Sequence, residues 1–245
     1  GYVYGRYGNP TVTMFEERLA LLEGAEACYA LASGMASVFG ALACQLKAGD
    51  HLVSSKALFG SCYQIVTSIL PRFGIKTTLV DGADLTAWKE AITPETKCVF
   101  LETPSNPTLD VIDLEAVCGI AKAAGANVVV DNIFATPILQ RPLAYGADVI
   151  VYSGTKHMDG QGRVLGGAIL STKKFKDEQL KPFLRHTGPS ISPFNAWVLL
   201  KGLETLKLRV EAQSRAAHQV ADALSGLTGV SRVLYPHLDS HPQAA

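Results

Sequence analysis

Four polar groups stand directly after apolar, strand-like runs, and each residue type suits a distinct chemical task. Ser153-Gly154-Thr155-Lys156-His157 follows the run 147–152. Two hydroxyls and an amine within four residues suit an anion and a covalent carbonyl adduct, because a desolvated lysine is an amine nucleophile that can form a Schiff base. A lone lysine is ordinarily a solvated surface residue; here the buried run before it and the hydroxyls beside it favour a functional amine. Asp131-Asn132 follows Val128-Val129-Val130. A carboxylate at the end of a buried strand is costly unless a cation or a donor meets it, although a capping role is the plain alternative. Ser33-Gly34-Met35 lies between the run 28–31 and a helical pattern. Glycine admits close backbone approach and free N–H groups at a helix start bind phosphate, yet most Ser-Gly pairs are only turns. Glu102-Thr103-Pro104-Ser105-Asn106-Pro107 follows the run 97–101, and its prolines stiffen the loop so that Asn106 becomes a fixed amide.

These groups need a scaffold that collects strand ends. Strand-like runs at 28–31, 51–54, 76–80, 97–101, 127–130, 147–152 and 166–170 alternate with helical patterns near 35–46, 59–71, 84–91 and 113–124. Before them, Asn9-Pro10 reads as an N-cap and first helical residue, with Val12, Phe15, Leu19 and Leu22 on one face and Gly24 at the end. This alternation predicts an α/β domain with a mostly parallel sheet, and ligands of such sheets bind beyond the carboxyl ends of the strands. Runs such as Val149-Ile150-Val151 lack polar alternation, as expected for strands covered on both faces. After residue 173 the pattern is helical over 173–185, 193–206 and 207–225, followed by a strand-like run from Val230 to Tyr235. The first nine residues hold three Gly and three Tyr without a regular period and read as an arm.

Of the 245 residues 48% are hydrophobic, enough for a sizeable core, and 22 basic side chains balance 22 acidic ones. With no basic field, neither nucleic acid nor a membrane surface is an expected partner, and the expected ligand is small. Cys28, Cys44, Cys62, Cys98 and Cys118 are at least sixteen residues apart, so there is no C-x-x-C pair; apolar neighbours mark them as reduced core thiols. The uncharged stretch Ala27 to Leu46 carries Ser33, Gly34, Ser37, Gly40 and Gln45, and reads as strand, loop and helix rather than a membrane span. No basic-then-apolar leader opens the sequence, and a cytoplasmic protein is the expectation.

Taken together, the four groups fit pyridoxal 5'-phosphate (PLP): an amine for its aldehyde, a buried acid for its ring nitrogen, hydroxyls and backbone N–H groups for its phosphate. Asp131 and Lys156 lie 25 residues apart across one β-α-β-like step and can face one ring. The strings Tyr4-Gly5-Arg6-Tyr7-Gly8-Asn9-Pro10-Thr11, Ser33-Gly34-Met35, Glu102 to Pro107, Asp131-Asn132, Ser153 to Lys156 and Ser192-Pro193-Phe194-Asn195-Ala196-Trp197 resemble the cystathionine synthase/lyase family of PLP enzymes. The resemblance covers residues 1–245 and implies the aspartate-aminotransferase fold (PLP fold type I). It implies Lys156 as the lysine carrying the cofactor and Asp131 as the partner of the ring nitrogen. Ser153, Thr155, Gly34 and Met35 would hold the phosphate, Asn106 would meet the ring hydroxyl, and Tyr4 and Arg6 would reach the phosphate of a neighbouring subunit. It therefore implies a homo-oligomer, at least a dimer and by family habit a tetramer. Residues 1–9 would be the arm, 10–214 the PLP-binding large domain, and 215–245 the start of a C-terminal domain whose further part carries the arginine for the substrate carboxylate.

Two segments depart from the common family pattern. Where most members have Tyr-Gly, with the tyrosine stacked on the ring, this sequence has Phe59-Gly60-Ser61-Cys62. Phe59 keeps the stacking face and lacks the phenol, so it transfers no proton; the segment is similar to the O-succinylhomoserine sulfhydrylase branch. Asn132-Ile133-Phe134-Ala135-Thr136-Pro137 has apolar residues where relatives often carry Thr-Tyr. The implied reaction is γ-replacement on an O-acylhomoserine by sulfide or a thiol, best O-succinylhomoserine plus sulfide to homocysteine in methionine biosynthesis. Cystathionine γ-synthase and γ-lyase or methionine γ-lyase chemistry are the rivals within the family. A nucleotide-binding α/β protein with no covalent cofactor is the rival outside it. Gly160 to Gly167 imitates a dinucleotide fingerprint, but its third glycine comes one place late and a strand-like run follows. His237 and His241 have metal-like spacing without further ligands, and no Gly-x-Ser-x-Gly elbow is present.

Overall fold

The structure is a computed structural model that describes residues 2–244. The Asn9 side chain accepts the Thr11 and Val12 N–H groups and starts α1 (Pro10–Glu23), with Pro10 where no N–H is required. There follow β1 (Ala27–Leu31), α2 (Gly34–Ala43), β2 (His51–Ser55), α3 (Gly60–Gln64), β3 (Lys76–Val80), α4 (Leu85–Ala91), β4 (Thr96–Glu102), α5 (Leu114–Ala123), β5 (Asn127–Asp131), α6 (Thr136–Leu139), β6 (Val149–Ser153) and β7 (Gly167–Ser171). Then come α7 (Lys173–Phe175), α8 (Lys181–Thr187), α9 (Pro193–Leu203) and α10 (Leu206–Ser225), and residues 226–244 are turns and irregular chain.

The seven strands form one sheet in the order β1-β7-β6-β5-β4-β2-β3. Pairings from β3 through β6 are parallel, and only β7 runs against its neighbours β6 and β1. The reversal follows from the connection: residues 154–166, which include Lys156, return the chain as a loop without a crossover helix. Val128 and Val130 pack into the apolar cluster on one face while Val129 joins the cluster on the other. Burial on both faces accounts for the unalternated run.

All seven strands predicted up to residue 171 are present, and three other expectations change. The helix predicted over 59–71 breaks after α3 into a π-helical turn, Ile65–Ile69, and a 3₁₀ turn, Leu70–Phe73. Pro71 cannot donate to the preceding turn and its ring crowds that turn's carbonyl. The pattern 173–185 is likewise interrupted at Lys176–Leu180, just ahead of Pro182. The run Val230 to Tyr235 forms no strand; no sheet edge meets it, and the Tyr235 hydroxyl instead donates to the Ser214 carbonyl on α10 (3.2 Å). α10 passes through residues 214 and 215 without a break.

The site depends on how closely the β1–α2 loop approaches the sheet. A Cβ on Gly167 would run into the Ser33 carbonyl and the Ser37 hydroxyl. Gly167→Ala is expected to lower stability by about 1–3 kcal/mol. Gly119→Ala, on the open face of α5 with no atom within 4 Å, is expected to raise it by up to about 1 kcal/mol. Urea unfolding of both variants checks the contrast.

Candidate active site

β4, β5 and β6 end side by side, with Glu102 paired to Asp131 and Asp131 to Val151 in the ladder. Parallel pairing therefore gathers Glu102, Asp131 and, two residues beyond Val151, Ser153 at one edge. Asp131 is 2% exposed, and its Oδ1 accepts the Ile133 N–H at 3.1 Å. Among the described residues no cation pairs with it. Burial pushes its carboxyl well above the ordinary aspartate range, the charge of Glu102 adds to that, and the Ile133 N–H opposes it. An acid so placed calls for a hydrogen-bond donor carrying positive charge.

Next to it lies a cradle for an anion. The Ser33 hydroxyl caps α2 by accepting the Ala36 N–H at 3.2 Å. The N–H groups of Gly34 and Met35 have no acceptor among the described residues, as the first turn of a helix leaves them. A Cβ on Gly34 would lie 2.5 Å from the Ser153 Cβ, so the absence of a side chain is what lets the helix start reach the end of β6. Ser153 Oγ has no hydrogen bond among the described residues and is half-buried. Met35 is itself half-buried against the apolar cluster on its face of the sheet. Thr155 has a different contact: its hydroxyl accepts the Gly166 N–H (3.2 Å) and faces the Gly166 carbonyl (3.4 Å), tying the Lys156 loop to the start of β7.

Lys156 is exposed at the mouth of the site. The loop after it is held from behind, where the Arg209 guanidinium on α10 donates to the carbonyls of His157 (2.7 Å), Met158 (3.3 Å) and Gly202 (2.8 Å). Buried Asp159 binds Arg163 at 2.9 Å and accepts two backbone N–H groups of the same loop. Arg209 and Asp159 were not found from the sequence; an arginine fifty residues downstream carries no local signal of binding carbonyls.

Phe59, 41% exposed, precedes α3, and its N–H donates to Glu102 Oε2 at 2.6 Å. The Asn106 N–H donates to Glu102 Oε1 at 2.8 Å. Burial pushes Glu102 up to about 7, against the pull of these two donors. Behind β5 and β6, Asn132 Nδ2 donates to Tyr152 Oη (2.6 Å), and Tyr152 donates to Glu23 (2.5 Å). Burial likewise pushes Glu23 up to about 7, and its Oε1 is a buried atom without a partner among the described residues.

Tyr4 and Arg6 make their contacts on their own chain. Arg6 donates to the Arg185 carbonyl, and its guanidinium lies 5.3 Å from the Tyr4 ring and 4.8 Å from the Tyr7 ring. The arm thus has a defined turn, and the structure does not bring it to Asp131 or Lys156 of the same chain. His241, half of the metal-like pair, bonds the Leu109 carbonyl through Nε2 (3.1 Å). No helix among the described residues is long and apolar enough to cross a membrane.

The donor set fits PLP: a buried, cation-free carboxylate for a protonated ring nitrogen, free N–H groups and a hydroxyl for a phosphate, and an amine at the mouth. Fold and strand-end chemistry together define an α/β domain of PLP fold type I. The chain belongs to the Cys/Met metabolism family of PLP-dependent enzymes, whose model matches residues 1–245; membership implies PLP as the cofactor. It is 57% identical over 242 residues to an O-succinylhomoserine sulfhydrylase of Mycobacterium tuberculosis, covering 99% of this chain and 60% of that protein. It is 42% identical to an L-methionine gamma-lyase of Porphyromonas gingivalis, covering 99% and 61%. The crystal structure of metB from Corynebacterium glutamicum superposes with a TM-score of 0.96 at 38% identity, covering 99% of this chain and 63% of that one. The chain thus spans about 60% of the length of the curated relatives it matches.

The two raised glutamates set a pH dependence. Their unfolded-state value is about 4.3, so between there and about 7 the folded chain binds more protons than the unfolded one. Their stabilisation is full at the acid end and is lost as the pH rises through about 7. Without added PLP, urea stability from this source is expected to fall from pH 5 to pH 7.5, and Glu23→Gln is expected to flatten the fall.

Proposed function

We propose that this chain forms the cofactor-binding part of an enzyme that replaces the γ-substituent of an O-acylhomoserine with sulfur, with O-succinylhomoserine and sulfide giving homocysteine. The observation that carries the reading is Phe59 at the mouth of the site, where a tyrosine would offer a second proton-transfer group. With a ring that carries no proton, the exposed amine of Lys156 is the mobile base at this site. The 57% identity to a sulfhydrylase, against 42% to a methionine γ-lyase, supports the same choice.

When bound, PLP supplies an aldehyde for the substrate amine and an electron-withdrawing ring that acidifies the neighbouring C–H bonds. The remaining work falls to this chain. Lys156 would hold the aldehyde and, as the free amine, would move the protons at the substrate's Cα and Cβ while the γ-ester gives way to sulfur. Asp131 would pair with the ring nitrogen. Ser153 Oγ and the N–H groups of Gly34 and Met35 would hold the phosphate, with Thr155 beside them tying the loop to Gly166. Phe59 would supply the stacking face and Asn106 the partner of the ring hydroxyl. Tyr4 and Arg6 act on the phosphate of a neighbouring copy, which makes the working unit a homo-oligomer, a tetramer of two catalytic dimers. Residues 1–9 are then the arm and 10–214 the large domain, with a C-terminal domain beginning at 215 and, beyond it, the carboxylate-binding arginine. The reading puts the enzyme in the cytoplasm, in methionine biosynthesis.

Turnover of the PLP-loaded protein separates the rival chemistries. Homocysteine formation from O-succinylhomoserine and sulfide is expected to outrun α-ketobutyrate release without thiol, and Lys156→Ala to lower it by about 10²- to 10⁴-fold. Faster α-ketobutyrate release than thiol capture would make the enzyme a lyase. Faster reaction with cysteine than with sulfide would make it a cystathionine synthase.

A further inference from the structure

The carboxylate of Glu102 makes a connection that the proposed chemistry does not use. It closes β4 at 5% exposure, and its two oxygens face different loops. Oε2 accepts the N–H of Phe59, at the start of the α3 segment, and Oε1 accepts the N–H of Asn106, in the proline-rich loop after β4. These residues are 43 and 4 positions away in sequence, so one side chain ties two separate loops together. Distances of 2.6 and 2.8 Å make both of them close hydrogen bonds. Both prolines of the second loop, Pro104 and Pro107, remove backbone donors that could otherwise have made such a tie. Across the ladder, Glu102 is the direct neighbour of Asp131.

We propose that Glu102 is a positioning residue: by holding the Phe59 and Asn106 N–H groups on one carboxylate, it fixes both residues relative to Asp131 and would so orient the cofactor ring. The inference rests on the PLP reading of the site. Either loop alone could drift, since Phe59 is exposed and Asn106 half-buried. Tied to one carboxylate, the stacking face and the amide keep a common frame with the acid on the adjoining strand. The burial that raises Glu102 agrees with a group retained for geometry at some cost in stability.

Glu102→Gln tests this, because it keeps shape and volume but turns one acceptor into an NH₂ facing an N–H donor. The expected result is a PLP dissociation constant raised by about 10- to 100-fold, and visible circular dichroism of the bound cofactor reduced or inverted, since that signal reports ring orientation. A purely structural role predicts a lower unfolding midpoint with affinity and dichroic band unchanged, and that result overturns the proposal. Hydrogen exchange on the wild-type chain gives a second reading independent of the variant's folding. The Phe59 and Asn106 amides are expected to exchange slowly, and exchange of both at unprotected rates overturns it as well. A wild-type chain with no visible band on adding PLP would instead overturn the cofactor reading on which the inference stands.

Discussion

A buried carboxylate without a cation is the constraint around which this structure is arranged. Asp131 closes the central β5 strand with one N–H donor and almost no contact with water. Ionising such a desolvated group costs several kcal/mol, and burial pushes its carboxyl well above the ordinary aspartate range. A protonated ring nitrogen offers both the charge and the hydrogen bond the acid lacks. Once that pairing is granted, the other positions follow from the sheet. Parallel register sets Glu102 beside Asp131, and β6 brings Ser153 to the open N–H groups of α2. The return loop to β7 carries Lys156 at the rim.

The cost of this arrangement is spread over the surrounding network. Glu23, Tyr152 and Asn132 form a buried chain of hydrogen bonds behind the site, ending in a carboxylate oxygen with no partner among the described residues. Three buried acids on or next to one layer of strands favour protons over charge. Asp131 and Glu102 accept backbone N–H groups, and Glu23 accepts the Tyr152 hydroxyl. Arg209 does similar work from outside, binding three carbonyls of which two belong to the lysine loop.

Much of this was legible in the sequence, for identifiable reasons. Val128-Val129-Val130 and Val149-Ile150-Val151 announce two-sided burial, so the polar residue after each must lie at a strand end, where ligands bind. Asp131 and Ser153 were found that way, and Asn9-Pro10 gave the first helix its start. The run at Val230 misled because apolar composition does not say whether a sheet edge is within reach. The amphipathic period around Pro71 and Pro182 outweighed their missing N–H in the prediction, and the helices expected across them break. Glu102 was noticed only as a neighbour of Asn106, since its bond to Phe59 spans 43 residues. The arm shows the same limit. Three tyrosines and an arginine without period gave no hint that Arg6 would nest between Tyr4 and Tyr7 on its own chain.

The pairing proposed between Asp131 and the ring nitrogen is tested by nitrogen-15 NMR of the protein loaded with PLP labelled at that atom. The account predicts a protonated nitrogen at pH 8, and loss of that proton in Asp131→Ala. A nitrogen already unprotonated in the wild-type protein, or one whose protonation ignores the loss of Asp131, would contradict it.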